Sequence, residues 1–227
     1  MQKIIIITGA NRGLGKALVD IALKEEDAFL VLVSRSIHEQ HIGISKEKLL
    51  FIKTDLSEPF NDTFIEYLES ILHTNTILYF INNASTIVPI KKIGTLNDTD
   101  ISNSIAVNVH FPVSLINDLL KRFTKNKMIL VNISSGAGKN PISHWSLYGA
   151  AKAYIDMFFK VLETENENNN FSFFSIDPGV IDTGMQEYIR AINFPNKDYF
   201  KSLKQDNKLI QPEIAALTIL NKINFFE

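Results

Sequence analysis

Six short runs of apolar residues recur along the chain, at residues 4–7, 29–33, 49–52, 76–81, 127–133 and 171–176. Each run is four to seven residues long, is rich in Ile, Val, Leu and Phe, and lacks regular polar alternation. Such runs are typical of strands buried on both faces, as in a parallel sheet covered by helices. The pattern therefore predicts six parallel strands.

Amphipathic stretches that predict helices occupy residues 15–24, 60–72, 100–123, 145–165 and 212–223. Residues 36–48 are short and broken by Gly43, so no full crossover helix is expected there. Strands that alternate with helices imply right-handed crossovers. We therefore predict an α/β fold: a doubly wound, Rossmann-like parallel sheet flanked by helices.

The chain shows no internal repeat and no linker, so a single domain over residues 1–227 is expected. The low-complexity residues 163–170 predict a solvated helix end and turn. Residues 177–211, with several prolines and glycines, look irregular. Because a loop of this length inside a compact domain is usually functional, we expect a substrate lid at about residues 182–206.

Composition narrows the function classes. Apolar residues make up 45% of the chain and charged residues 21%, which is ordinary for a soluble globular protein. The net charge of −2 gives no electrostatic reason to expect nucleic acid or an anionic membrane as partner. No apolar run is long enough to span a bilayer, so a cytoplasmic protein is expected. There is no cysteine, and the five histidines lack ligand-like spacing with carboxylates, so no metal is predicted.

A glycine-rich turn follows the first predicted strand and leads into the first helix. Gly9, Gly13 and Gly15 have the spacing Gly-x3-Gly-x-Gly. Glycines at this place allow a tight turn and let the backbone approach a pyrophosphate, which then lies at the positive end of the helix. The alternative is a strand-to-helix turn that binds no ligand.

The end of the second predicted strand bears on the choice of cofactor. An acidic residue there would bind the adenosine 2′-hydroxyl and favour NAD, but this strand ends with Ser34 and Arg35. Arg35, together with Arg12 in the glycine loop, is suited to hold a 2′-phosphate by charge-assisted hydrogen bonds. The alternative is that both arginines are solvated surface charges. The pattern favours NADPH.

Tyr148 and Lys152 are spaced i and i+4 on a predicted helix, so they share one face. A nearby ammonium, with the positive charge of an oxidised nicotinamide, would lower the pKa of the phenol, which is near 10 when free. Ser135 follows a predicted buried strand, and its hydroxyl is suited to hold a carbonyl oxygen in line with Tyr148. Asn108 lies inside a predicted helix, an unfavourable place without a partner; it either anchors a water that relays protons from Lys152 or is a packing amide.

Jointly, these motifs resemble the short-chain dehydrogenase/reductase family in order and spacing. They are residues 8–15, Asp55-Leu56, Asn82-Asn83-Ala84, Asn108, Ser134-Ser135, residues 148–152 and Pro178-Gly179. The resemblance implies catalysis by Asn108, Ser135, Tyr148 and Lys152. It also implies that NADP(H) is held by Gly9, Asn11, Arg12, Gly13, Leu14, Gly15, Ser34, Arg35, Asp55, Leu56, Asn83, Ala84, Tyr148, Lys152, Pro178, Gly179, Ile181 and Thr183.

Residues 133–141 and 178–186 are similar to the sepiapterin reductase and bacterial benzil reductase branch of that family. The resemblance implies NADPH-dependent reduction of a ketone, diketone or aldehyde. Ser135, Trp145 and Met185, with Ile87 and Val88, would then contact the substrate; the alternative for Trp145 is a place in the core. The missing C-terminal tail argues against a pterin substrate.

Two departures from the family pattern affect these expectations. Ser85 stands where the family usually has glycine, which is tolerable at negative φ. The chain stops where the family usually adds a seventh strand, so either residues 224–227 form a stub of that strand or one sheet edge is open. A homodimer through the two long helices is therefore expected. The competing hypothesis for the whole chain is a non-catalytic module that senses NADP(H); such modules tend to lose the Tyr or the Lys, and both are present here.

Overall fold

The computed structural model describes residues 2–58, 63–167 and 170–227. A single six-stranded sheet with the order β3-β2-β1-β4-β5-β6 forms its centre. All neighbouring strands are parallel. The strands are β1 Lys3–Thr8, β2 Ala28–Ser34, β3 Leu49–Lys53, β4 Ile77–Asn82, β5 Lys127–Ile133 and β6 Phe171–Ile176. The predicted doubly wound α/β fold is confirmed, and each apolar run forms one strand.

Eight α-helices accompany the sheet within the described residues. They are α1 Gly13–Ala22, α2 Thr63–Ile71, α3 Asp98–Ile105, α4 Phe111–Arg122, α5 Ser146–Glu165, α6 Gly184–Ala191, α7 Lys197–Gln205 and α8 Pro212–Lys222. The stretch predicted as one helix over residues 100–123 is α3 and α4 joined by a π-helical turn, Ala106–His110. Residues 60–62 of the predicted second helix, and 168–169 of the low-complexity segment, lie outside the described residues.

The core consists of two apolar layers, one on each face of the sheet. The side chains of β1 alternate between them: Ile5 and Ile7 pack towards α1 and α8, whereas Ile4 and Ile6 pack towards α2, α4 and α5. Since both faces are covered, every residue of β1 is buried. This explains why the strands appear in the sequence as continuous apolar runs.

The chain ends without a seventh strand in the described residues, and β6 forms an open sheet edge. Residues after α8 instead fold back on the core. Phe225 is fully buried and packs edge-on against Tyr79 at 5.3 Å between ring centroids.

The irregular segment expected over residues 177–211 contains two helices, α6 and α7. Their apolar side chains Ile189, Phe200 and Leu203 form a third, smaller cluster with Trp145 and Tyr148. The expectation was wrong because the glycines and prolines that precede or begin these helices dominate the local pattern, while the apolar faces are only one or two turns long. Between β2 and β3 there is only a 3₁₀ turn, Glu39–His41, as expected. None of the helices in the described ranges is long and apolar enough to cross a membrane.

Candidate active site

A cleft of about 1040 Å³ opens at the carboxyl ends of the strands. In a parallel sheet of this order, ligands bind at this end, beside the point where the strand order reverses. Every residue that the sequence assigned to catalysis, cofactor or substrate lines this cleft, with the exception of Asn108. The structure thus brings together groups from β1, β2, β4, β5, β6 and α5.

The glycine loop between β1 and α1 is shaped for close approach to a ligand. Gly9 and Gly13 have φ of +66° and +52°, a region that other L-residues rarely adopt. A Cβ on Gly15 would lie 2.2 Å from the carbonyl oxygen of Gly9, so only glycine fits there. The backbone that follows begins α1, whose amino terminus faces the cleft and favours an anion.

This loop is fixed to the end of β4 by hydrogen bonds. The Asn83 amide donates to the carbonyl oxygens of Thr8 at 2.9 Å and Gly9 at 3.2 Å. The Thr8 hydroxyl oxygen accepts from the backbone N–H groups of Asn83 at 3.1 Å and Ala84 at 3.0 Å. Thr8, which the sequence reasoning did not single out, therefore connects the two strands beneath the glycine loop.

Two exposed arginines lie at the far end of the cleft, where β2 ends. Arg12 and Arg35 both line it, and the arginine ion pairs in the described residues belong to Arg122 and Arg190 instead. The side chain of Asp55 also lines this end, where hydrogen bonds from the N–H and hydroxyl of Ser57 lower its pKa. The charge of Arg35 also lowers the pKa of Asp55, but neither Arg12 nor Arg35 forms an ion pair within the described residues.

Tyr148 and Lys152 occupy one face of α5, and both are buried. The Lys152 ammonium donates to the carbonyl oxygen of Ile133 at 2.7 Å and lies 5.6 Å from the centre of the Tyr148 ring. Burial lowers the pKa of Lys152 to about 8, against the opposing effect of the carboxylates of Asp156 and Asp177. Ile133 is thus the only hydrogen-bond acceptor of Lys152 within the described part of the chain, which leaves two N–H donors for a ligand.

The surroundings of Tyr148 in the protein alone favour its protonated form. Burial raises the pKa of Tyr148, a hydrogen bond with Ser135 lowers it, and the charge of Asp177 raises it. Lys152 is not among these causes. In the protein alone, Tyr148 is therefore a protonated phenol, the form that can donate a proton.

Asn108 lies in the π-helical turn and its amide is fully occupied by protein partners. Its Oδ1 accepts from the Ser85 hydroxyl at 2.9 Å and from the Thr86 N–H at 2.8 Å. Its Nδ2 donates to the Thr86 carbonyl oxygen at 2.8 Å and to Ser104 Oγ at 3.3 Å. The side chain therefore fixes the loop after β4. Ser85, where glycine is usual, has no positive φ and supplies one of these bonds.

The substrate side of the cleft is largely apolar. Trp145 is 6% exposed, stacks on Phe200 at 5.1 Å and meets the Tyr148 ring edge-on at 5.7 Å between centroids. It is at once a core residue and part of the cleft wall, so the two alternatives for Trp145 are compatible. Ile87, Val88 and Met185 line the same wall.

The segment after β6 closes the cleft from the other side. Gly179 has φ of +78°, and its N–H donates to Asp177 Oδ1 at 3.0 Å. Ile181 forms an isolated parallel bridge with Ile210, which ties the base of α6 to the start of α8. The Thr183 methyl group lies 3.0 Å from the position of a Cβ on Gly13, so this segment contacts the glycine loop. Pro178 also lines the cleft.

Two carboxylates near Lys152 were missed by the sequence reasoning. Asp177 precedes Pro178 and Asp156 follows Lys152 by one helical turn, so both could have been noted as acids adjacent to a motif. Their effect on Lys152 depends on tertiary packing. No cluster of three or more metal-ligating side chains occurs in the ranges that the structure describes.

Comparisons with known proteins agree with this geometry. A family model described as short chain dehydrogenase matches residues 3–193. Benzil reductase ((S)-benzoin forming) of Bacillus cereus is 32% identical, over 97% of this chain and 93% of the relative. Sepiapterin reductase of Bos taurus is 26% identical over 97% and 89%. The crystal structure of the KRED1-Pglu enzyme superposes with a TM-score of 0.83 and 29% identity, over 95% of this chain and 92% of that one.

Proposed function

Because this chain belongs to the short-chain dehydrogenase family, an oxidoreductase family that interconverts C=O and CH–OH groups with a nicotinamide cofactor, we propose that it is an NADPH-dependent carbonyl reductase with Tyr148 as general acid. The observation that carries the proposal is the meeting of Ser135, Tyr148 and Lys152 in the cleft that the glycine loop enters. A ketone, an α-diketone or an aldehyde with apolar substituents fits the apolar wall beside them. The similarity to benzil reductases supports the diketone class in particular.

The residues present fit a dinucleotide. The backbone around Gly9, Gly13 and Gly15 would hold the pyrophosphate, because this turn lines the cleft and leads into the amino terminus of α1, which favours an anion. Arg12 and Arg35 would hold the 2′-phosphate, and Asp55 the adenine. The free N–H donors of Lys152 would hold the nicotinamide ribose, with Pro178, Ile181 and Thr183 around the carboxamide.

When bound, the reduced nicotinamide supplies the hydride. The protein supplies the proton and aligns the substrate carbonyl. The Ser135 hydroxyl holds the carbonyl oxygen, and Tyr148 donates its phenolic proton to that oxygen as negative charge develops there. The Lys152 ammonium stabilises the phenolate that remains, because a buried positive charge acts strongly at short range. Asn108 acts only indirectly, through the loop that carries Ile87.

The competing function is a sensing module that binds NADP(H) without chemistry. NADPH oxidation against α-diketones, aryl ketones, quinones and pteridines distinguishes the two. We expect turnover with aryl α-diketones to exceed that with pteridines, because the wall formed by Trp145 and Met185 is apolar. Tight NADPH binding with no oxidation for any of these carbonyl classes would favour the sensing module.

We also propose a homodimer through α4 and α5. Tyr154, Met157 and Val161 on α5 are apolar, 45–58% exposed and share one face of the helix. We expect Met157→Glu to convert the dimer to a monomer in light scattering coupled to size exclusion. Ile214→Glu, on the equally exposed face of α8, is the matched control and should leave the mass unchanged. A monomeric parent protein would contradict the proposal.

A further inference from the structure

Asp156 lies on α5 one turn after Lys152, and its carboxylate accepts hydrogen bonds from three side chains of the sheet. Ser134 Oγ donates at 2.7 Å, Ser175 Oγ at 2.5 Å and Asn132 Nδ2 at 3.3 Å. Three donors around two oxygens match an ionised carboxylate, which is acceptor-only. Asp156 is thus a fixed negative charge at the base of the active-site helix.

Two of the donors, Asn132 and Ser175, belong to a polar row across three adjacent strands. Asn82 in β4 is in register with Asn132 in β5, and Asn132 with Ser175 in β6. The Asn82 amide donates to Asn132 Oδ1 at 3.2 Å, and Asn132 Nδ2 also donates to Ser175 Oγ at 2.9 Å. Asn82 and Asn132 are 4% and 0% exposed, and the residues beside them in β4 and β5, Ile81, Val131 and Ile133, are buried and apolar. A buried amide without hydrogen-bond partners lowers the stability of the fold. A row of buried amides that ends at one carboxylate therefore indicates that the position of this carboxylate is important.

The same stretch of β5 holds Lys152. Its ammonium binds the carbonyl oxygen of Ile133, the residue between Asn132 and Ser134. The charged and titratable groups that face Lys152 are Tyr148 and Asp156 from α5 and Asp177 from the end of β6. Of the two carboxylates, Asp156 opposes more strongly the burial that lowers the pKa of Lys152 to about 8.

We propose that Asp156 is a positioning residue of the active site: its carboxylate, held by the polar row, keeps the buried Lys152 side chain in its ammonium form beside Tyr148. The catalytic consequence rests on the proposed reductase function. The electrostatic coupling between Asp156 and Lys152 does not, so it can be tested separately.

The coupling is tested by thermal unfolding of the protein without cofactor. Below pH 8, Lys152 is charged in the folded state, so Asp156→Asn removes the counter-charge of a buried ammonium. Above that pH, Lys152 is neutral, so the same substitution lowers the free energy of unfolding by less. We therefore expect Asp156→Asn to lower Tm at pH 7 by about 4 °C more than at pH 9.5. In a Lys152→Met background, this pH dependence should vanish. An equal loss of Tm at both pH values in both backgrounds would show that Asp156 serves packing alone and overturn the proposal.

The catalytic consequence is tested by the pH profile of kcat/KM for NADPH oxidation. Activity falls as the pH rises through the pKa of the Tyr148–Lys152 pair, since the reaction needs both protons. Removing a nearby negative charge makes these groups more acidic, so the alkaline limb of Asp156→Asn should move about one pH unit lower. Glu163→Gln removes an exposed carboxylate two turns farther along α5 and is the charge-matched control. It should leave the limb in place.

An alkaline limb that does not move in Asp156→Asn also overturns the proposal. If Asp156→Asn does not fold, Asp156→Ser, which has a smaller uncharged side chain, is measured instead. If the parent protein reduces no carbonyl compound, the proposed function fails, yet the thermal comparison still decides the coupling. If the parent is active and the thermal coupling is absent, the positioning role alone fails.

Discussion

Tyr148→Phe is expected to lower kcat by roughly a thousandfold, because the substrate oxygen loses its proton donor. The phenyl ring retains the edge-on contact with Trp145 and leaves the Lys152 site unchanged, so the apolar packing is preserved. KM for the carbonyl substrate and Kd for NADPH should stay within about twofold of the parent values. Steady-state kinetics, with cofactor binding followed by NADPH fluorescence, measure both.

Tyr154→Phe is the matched control for this prediction. Tyr154 lies on the same helix, but 51% of it is exposed and the cleft is lined by other residues. Removing its hydroxyl should leave kcat unchanged. Normal turnover by Tyr148→Phe would contradict the assignment of Tyr148 as the acid, whatever the substrate.

Arg35→Asp is expected to raise KM for NADPH about 100-fold and to leave or lower KM for NADH. Arg35 lies at the end of β2 without an ion-pair partner in the described residues, which suits a dianionic phosphate. A loss of this size corresponds to about 2.7 kcal/mol, within the range of one strong charge-assisted contact. The new carboxylate would also repel the phosphate and lies near Asp55, whose pKa Arg35 now helps to lower.

NADH, which lacks the 2′-phosphate, is the internal control for that comparison. Arg35→Gln separates the lost positive charge from the added negative one, and it should show an intermediate KM for NADPH. Equal affinities of the parent protein for NADPH and NADH would contradict the role given to Arg12 and Arg35. A weakening of both cofactors by the same factor would point to damage of the loop after β2 instead.

The fold could be predicted largely from the sequence because its signals are local. Each buried strand appears as a run of apolar residues, and the tight turn before α1 requires glycine at Gly9, Gly13 and Gly15. The helices α6 and α7 were missed, since their apolar faces are short and become significant only when they pack on Trp145. The burial that raises the pKa of Tyr148 in the protein alone also depends on tertiary packing.

The sequence by itself determined which residues lie on each face of an element, because helical and strand periodicities depend only on neighbours along the chain. It therefore placed Tyr148 and Lys152 on one face of α5 and put the glycine loop after β1. Which side chains from different strands meet depends on how the chain folds in three dimensions. The row of Asn82, Asn132 and Ser175 exists only because β4, β5 and β6 pair in one particular register. Packing between residues far apart in the chain likewise decides the burial of Tyr148 and Lys152. It also decides the effect of the Asp156 charge on Lys152 and the hydrogen bonds of the Asn108 amide.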